Sequence, residues 1–318
     1  MRKRLMIELL FSSLFLIAIV FFVSLAIVEG QVWRYRRRNK TALPTPLLVT
    51  LTTGPVLLAT AILLALSLTF LGKGTGLIVD HCLVHGLNHP HLCFEHLPAG
   101  QLSFLAVVGA SLLILYIAVK LATLAKSTLK YARVNRSVSQ FQTGRINWLD
   151  SDREMAFVAG IRQPRIYLTH MLKKRLSRQT LRIIVAHEIQ HVRNRDLIKM
   201  LFIECLLSFY SRSTKTYLMN QWVLYREQKV DRQLAGRFGR AAVADALLRM
   251  LPIKNHEAGL NSAGGDIEQR ITALANLNER DLFSAKRAYQ WVAVLTLSIT
   301  IFLTAEHHAL ETLIGWIT

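Results

Sequence analysis

The run His187-Glu188-Ile189-Gln190-His191 has the types and spacing of a metal site. Residues four apart share a helix face, so both imidazoles can reach one ion while Glu188 lies beside it. Two neutral imidazoles at this spacing suit Zn²⁺, and a catalytic zinc needs one further protein ligand and an open position. Glu227-Gln228-Lys229-Val230-Asp231 offers that ligand. Glu227 would complete a His₂Glu set. Asp231, on the same face of a second helix, would accept the spare N–H of a ligating histidine, His187 first, and so fix its tautomer. Glu188 is then the general base, taking a proton from the attacking water and passing it to the leaving amine. The competing reading is two solvated helix faces with ordinary charges. Both motifs falling within one polar stretch favours the zinc site.

These side chains need elements to hold them. The first motif is predicted on a helix that opens at Ser177, an N-cap residue type, and runs through Leu181, Ile184 and Glu188. Just upstream, Arg165-Ile166-Tyr167-Leu168 is a short β-prone run. As a sheet edge beside the zinc it could pair with an extended substrate. A plain structural strand accounts for it equally well.

The rest of the chain is unusually apolar. Of its 318 residues 52% are hydrophobic and only 19% charged, which excludes a disordered chain and an ordinary soluble domain. Lys and Arg total 39 against 20 Asp and Glu, a net charge of +19. That surplus on a chain of mean hydropathy +0.32 fits a membrane protein with basic cytoplasmic loops. Direct nucleic-acid binding is not expected, because no nucleic-acid-binding motif accompanies the charge.

Four stretches approach the ~20 apolar residues that a span requires: residues 5–28, 46–71, 103–125 and 288–304. Gly54-Pro55 should kink the second. Residues 198–210 are apolar but short, and read as a buried or membrane-skimming helix. The first span is too long for a cleavable signal peptide. Arg34, Arg36, Arg37, Arg38 and Lys40 lie in the first loop. By parity that loop shares a side with residues 126–287, which hold 29 Lys and Arg against 14 Asp and Glu. Both should be cytoplasmic, with loop 72–102 outside. Arg2, Lys3 and Arg4 point the other way, but the sum over loops outweighs them.

From residue 156 to about 274 the sequence resembles the BlaR/MecR-type sensor-transducer zinc metallopeptidases, bacterial membrane gluzincins of metallopeptidase family 56. The matching pieces are Pro164-Arg165-Ile166-Tyr167, His187-Glu188-x-x-His191 with Arg193-x-Arg195-Asp196, Glu227-x-x-x-Asp231, and Glu268-Gln269-Arg270-Ile271-x-x-Leu274. Three spans before the peptidase and one after match that family's layout. The resemblance implies zinc ligands His187, His191 and Glu227, base Glu188, and cleavage of itself or of a BlaI/CopY-like cytoplasmic repressor. HtpX-type and CAAX-protease gluzincins share both metal motifs but tend to carry a His-Pro pair before the Arg-Ile element. Here that place reads Asn261-Ser262-Ala263-Gly264-Gly265-Asp266. Arg270 and His256 are the candidates for oxyanion or substrate contact. Penicillin-sensing relatives carry an external penicillin-binding domain after the fourth span. Residues 305–318 are instead expected to form a short amphipathic tail on Leu310, Leu313, Ile314 and Trp316. Ser127-x-x-Lys130 matches a β-lactam-reactive motif by chance, since its companion motifs are missing.

The outer loop is rich in ligands: His81, Cys82, His85, His89, His91, Cys93 and His96. Imidazole and thiolate suit zinc or copper, which would make the loop a metal sensor. An oxidising exterior favours a Cys82–Cys93 disulfide instead, leaving only the histidines.

The expected architecture is mainly α and polytopic. Residues 1–125 form three spans with the outer loop, 126–287 a cytoplasmic α+β zinc metallopeptidase domain, and 288–318 the fourth span and tail. The chain is expected in a bacterial inner membrane, with lipid and a repressor substrate as partners and room for a homo-oligomer. It would act in signalling by regulated proteolysis. The alternatives are an HtpX-like quality-control protease and a non-catalytic metal receptor or clamp.

Overall fold

The computed structural model describes residues 2–38, 42–78, 104–139, 144–161, 163–250, 261–276, 285–307 and 309. The chain is mostly helical. In order it forms α1 (Arg2–Arg38), α2 (Thr45–Gly74), α3 (Phe104–Ser139), β1 (Ile146–Leu149), β2 (Ala156–Ala159) and β3 (Arg165–Thr169). There follow α4 (His170–Arg175), α5 (Arg178–Asn194), α6 (Asp196–Leu207), α7 (Arg212–Phe238), α8 (Arg240–Arg249), α9 (Asn261–Ala275) and α10 (Ala285–Ala305). Among the described residues, four helices contain stretches long and apolar enough to cross a membrane: Phe11–Arg38, Thr45–Gly74, Val107–Lys126 and Arg287–Ala305. The chain divides into two compact units, residues 1–123, 209–214 and 283–318 in one, 124–208 and 215–282 in the other.

The first unit carries the apolar helices. α2 packs against both α1 and α10. Their outer faces stay apolar and exposed, as at Leu64, Leu68, Leu112, Leu115, Ile301 and Phe302, the pattern of helices that meet lipid. α1 and α3 outrun their hydropathy. Arg34, Arg36, Arg37 and Arg38, read from sequence as a loop, instead form the last turns of α1. Arginine is a good helix former, and Arg37 lies 3.9 Å over the Trp33 ring. α2 stays helical through Pro55. Proline has no N–H for the carbonyl four residues back, that of Leu51. The buried Tyr210 hydroxyl donates to that carbonyl at 2.5 Å. Glu29 of α1 accepts from the Ser211 backbone N–H at 2.7 Å and the Ser211 hydroxyl at 2.9 Å, and also from Thr214. A carboxylate is thereby placed at the N-terminus of α7, where the helix dipole favours it.

The second unit is built on a three-stranded sheet of order β1-β3-β2. β3 is its central strand, parallel to β1 and antiparallel to β2. Of the two readings of Arg165-Ile166-Tyr167-Leu168, this overturns the sheet edge, since both sides of the strand are occupied, and agrees with the plain structural strand. The run is apolar because it is interior: Ile166, Tyr167 and Leu168 are buried, and Ile166 and Leu168 pack with Leu172 and Ile184. The two edges of the sheet are β1 and β2. Gly160, with φ +103°, starts the turn from β2 to β3. A Cβ there would meet the Gln163 carbonyl oxygen at 2.5 Å, so glycine is required twice over.

Four helices cover one core cluster: Ile183 of α5, Val230 and Leu234 of α7, Val243, Ala246 and Leu247 of α8, and Leu274 of α9. α6, read from sequence as buried or membrane-skimming, buries Ile203 and Leu207 and exposes Ile198 and Phe202. The outer loop with Cys82 and Cys93, His256, and the tail residues Leu310, Leu313, Ile314 and Trp316 lie outside the described residues.

Candidate metal centre

α5 opens where the sequence places it, with the Ser177 hydroxyl accepting from the Thr180 backbone N–H at 3.1 Å. That cap fixes the phase of the helix, and the 3.6-residue period then puts Ile184, Glu188 and His191 on its buried side. α5 ends at Arg195, the one non-glycine residue with positive φ among the described residues, at 55°. The left-handed turn satisfies the end of α5 through bonds from Arg195 N–H to the carbonyls of His191 and Val192. It also starts α6 at once, with the buried Asp196 in its first turn.

His187, His191 and Glu227 converge, each offering a ligand atom within 4.8 Å of the others. Glu227 Oε2 lies 3.1 Å from His187 Nε2, and Glu227 Oε1 lies 3.5 Å from His191 Nε2. The two Nε2 atoms are 3.0 Å apart. Nitrogens about 2.0–2.1 Å from one tetrahedral ion stand about 3.3 Å from each other, close to this spacing. The far sides of the rings are held by carboxylates. His187 Nδ1 faces Asp231 Oδ1 at 3.4 Å, and His191 Nδ1 faces Asp196 Oδ2 at 2.8 Å. A proton on each Nδ1 satisfies those contacts and leaves both Nε2 lone pairs directed inward, as ligation needs. The donor set fits a zinc ion.

The electrostatics agree. Burial disfavours an imidazolium at His191, but Asp196 and Glu227 outweigh it and raise its pKa to about 9. His187 is likewise raised against burial by Asp231 and Glu227. Burial pushes the Glu227 carboxyl up, yet the two histidines and Arg270 pull it well below the usual carboxylate range. Glu227 is therefore ionised, the form in which a carboxylate can ligate a metal. Glu188 differs. It is 9% exposed, and burial raises its pKa, the direction that suits a proton acceptor at neutral pH.

Arg270 of α9 engages Asp231 through two bonds, Nε to Oδ2 at 2.7 Å and Nη2 to Oδ1 at 2.8 Å. Its Nη1 is 3.4 Å from Glu227 Oε2. Arg270, a sequence candidate for oxyanion or substrate contact, here joins the two carboxylates of α7. Two residues had no role assigned from the sequence. Asp196 stood only within the matched piece Arg193-x-Arg195-Asp196; it lies five positions after His191, off any single helix face, and reaches it only because the helix breaks between them. Arg226 donates to Glu227 Oε1 from Nη2 at 2.6 Å and Nε at 3.1 Å. Its only signal was adjacency to Glu227.

These groups line one part of a cavity of about 360 Å³, whose wall also includes Ala156, Phe157 and Val158 of the edge strand β2.

Residues 117–255 match the profile of Peptidase family M48. The matched span contains His187, Glu188, His191, Asp196, Glu227 and Asp231. It supports a metallopeptidase, a hydrolase of a zinc-dependent family, and with the four apolar helices it fits a membrane-embedded protease. No curated protein and no solved structure matches the chain.

Proposed function

We propose that the chain is a multi-pass zinc endopeptidase of a bacterial inner membrane, acting in transmembrane signalling by regulated proteolysis. The observation that supports it is the convergence of His187, His191 and Glu227 beside the buried Glu188 in a cavity walled in part by the edge strand β2. His187, His191 and Glu227 would hold zinc, which supplies Lewis-acid polarisation of the scissile carbonyl and an acidified water. β2 holds the substrate extended through main-chain bonds, with little demand on its sequence. Glu188 takes a proton from the attacking water and delivers it to the leaving amide nitrogen, so one C–N bond breaks as one C–O bond forms. Asp231 and Asp196 keep the two rings oriented throughout.

On this reading residues 126–287 face the cytoplasm, in keeping with their basic surplus, and the substrate is the chain itself or a BlaI/CopY-like repressor. The outer-loop histidines would be the sensor for copper or zinc. The match to family M48 accommodates an HtpX-like quality-control protease equally well. Two measurements test these readings on the full chain in membranes. Glu188→Ala should abolish proteolysis while zinc content persists; proteolysis by that variant refutes the hydrolase. N-terminal peptide mapping should then find one regulator cut by the wild type, whereas many unfolded membrane proteins cut at once would identify quality control.

A further inference from the structure

Among the described residues, two guanidiniums line the cavity, those of Arg226 and Arg270, and they hold Glu227 through different oxygens. Arg226 takes Oε1, with Nη2 at 2.6 Å and Nε at 3.1 Å. This oxygen faces His191, 3.5 Å from its Nε2. Arg270 approaches Oε2, the oxygen that faces His187, with Nη1 at 3.4 Å. The two arginines differ in what is left over. Every nitrogen of the Arg270 group is turned to a carboxylate, since its Nε and Nη2 are bonded to Asp231. A guanidinium carries five N–H donors in a rigid fork. Arg226 uses its Nε and Nη2 on Glu227, and among the described residues its Nη1 has no partner. The Arg226 side chain is 27% exposed, which leaves it accessible to a substrate bound in the cavity. It is also near the general base. Burial raises the Glu188 pKa, and the positive charges of His187, His191 and Arg226 act against it, so the guanidinium lies within Coulombic reach of that carboxyl.

We propose that Arg226 is a catalytic residue: its Nη1 donates to the carbonyl oxygen of the scissile bond while its Nε and Nη2 keep hold of Glu227. The inference rests on the hydrolase reading and assigns the oxyanion contact for which the sequence offered Arg270 and His256. A carbonyl attacked by the water that Glu188 deprotonates gathers negative charge on its oxygen, and a donor already fixed in place stabilises that charge without reorganising. Glu227 supplies the fixing, because two bonds to one carboxylate oxygen set the plane of the fork. Arg226 gives up no proton, since a guanidinium stays charged throughout. The proton path from the water through Glu188 to the leaving nitrogen is unaltered. Lysine cannot take over the role, because its single nitrogen cannot face Glu227 and the carbonyl oxygen with the fixed geometry of a fork.

The test uses the full chain, zinc-loaded, in proteoliposomes. A peptide library varied on both sides of the bond supplies a sequence that the wild type cleaves, and two inhibitors are built on it. One is a phosphonamidate, whose tetrahedral phosphorus carries an anionic oxygen in place of the developing oxyanion. The other is a thiol, which reaches the metal through sulfur and has no such oxygen. Arg226→Met should weaken the phosphonamidate about 100-fold and leave the thiol nearly unchanged, with kcat falling and KM holding. Arg226→Lys, which keeps the charge and loses the fork, should recover only part of the phosphonamidate affinity. Chelator competition reports whether Glu227 still ligates zinc in each variant. Equal losses for the two inhibitors would make Arg226 a brace for Glu227 alone and overturn the proposal. Unchanged phosphonamidate affinity in Arg226→Met overturns it too. In both cases the wild type still cleaves. A wild type that holds zinc and cleaves nothing in the library overturns the hydrolase reading, and the proposal with it.

Discussion

Asp196 Oδ2 and His191 Nδ1 lie 2.8 Å apart across a helix break, so the His191 imidazole is oriented from the next helix and not from its own. The left-handed backbone of Arg195 brings Asp196 back over the last turn of α5. Asp196→Ala should leave Glu227 and His187 in place and free the His191 ring to rotate. Loss of such a carboxylate typically costs about 10–100-fold in metal affinity. Chelator competition on the purified chain measures it. Unchanged zinc affinity would show that Asp196 serves only the first turn of α6, where the helix dipole favours a carboxylate.

Proton linkage gives a second expectation. The pKa of His191 in the metal-free protein is raised to about 9 by Asp196 and Glu227 against the effect of burial. A raised folded-state pKa stabilises fully below the unfolded value, about 6.5 for histidine, and that contribution is lost as pH climbs through the folded value. Metal-free stability should therefore fall between about pH 6.5 and 9. Zinc requires the neutral ring, so its binding at neutral pH should release protons. Titration calorimetry in two buffers of different ionisation enthalpy reads the release directly. Identical heats in both buffers would contradict the assignment.

Arg270 separates bracing from catalysis. Asp231 is fully buried and receives both arms of the guanidinium. Removing one partner of a buried pair strands a charge, at a cost of about 3–5 kcal/mol. Arg270→Met should lower the thermal midpoint of the metal-free protein, and adding Asp231→Leu should recover much of the loss. If Arg270 served only a developing oxyanion, turnover would drop while the midpoint stayed put.

What was legible in the sequence follows from which contacts are local. The pairing of His187 with His191, and of Glu227 with Asp231, is a property of one helical turn, and the Ser177 cap is equally local. The position of β3 inside the sheet was not legible. An interior strand and a half-buried edge strand share β-prone composition, and only β1 and β2, distant in sequence, decide between them. The contact of Asp196 with His191 was hidden by the break at Arg195, because face arithmetic assumes an unbroken helix. The length of α1 was hidden for a different reason: hydropathy marks where apolar residues stop, whereas the helix continues through arginines of good propensity.

The same limit applies to Pro55, whose consequence is visible only in three dimensions. Its missing N–H leaves the Leu51 carbonyl without a helical partner, and the Tyr210 hydroxyl supplies one at 2.5 Å. Tyr210→Phe keeps the ring and strands that carbonyl, which should cost about 1–3 kcal/mol and lower the thermal midpoint in detergent. Pro55→Ala restores an N–H at position 55 that can take the same carbonyl. In that background the loss of the hydroxyl should matter less, and the double-mutant cycle should show coupling above about 0.5 kcal/mol. Strict additivity of the two changes would mean that the tyrosine acts by packing, with the proline irrelevant to it.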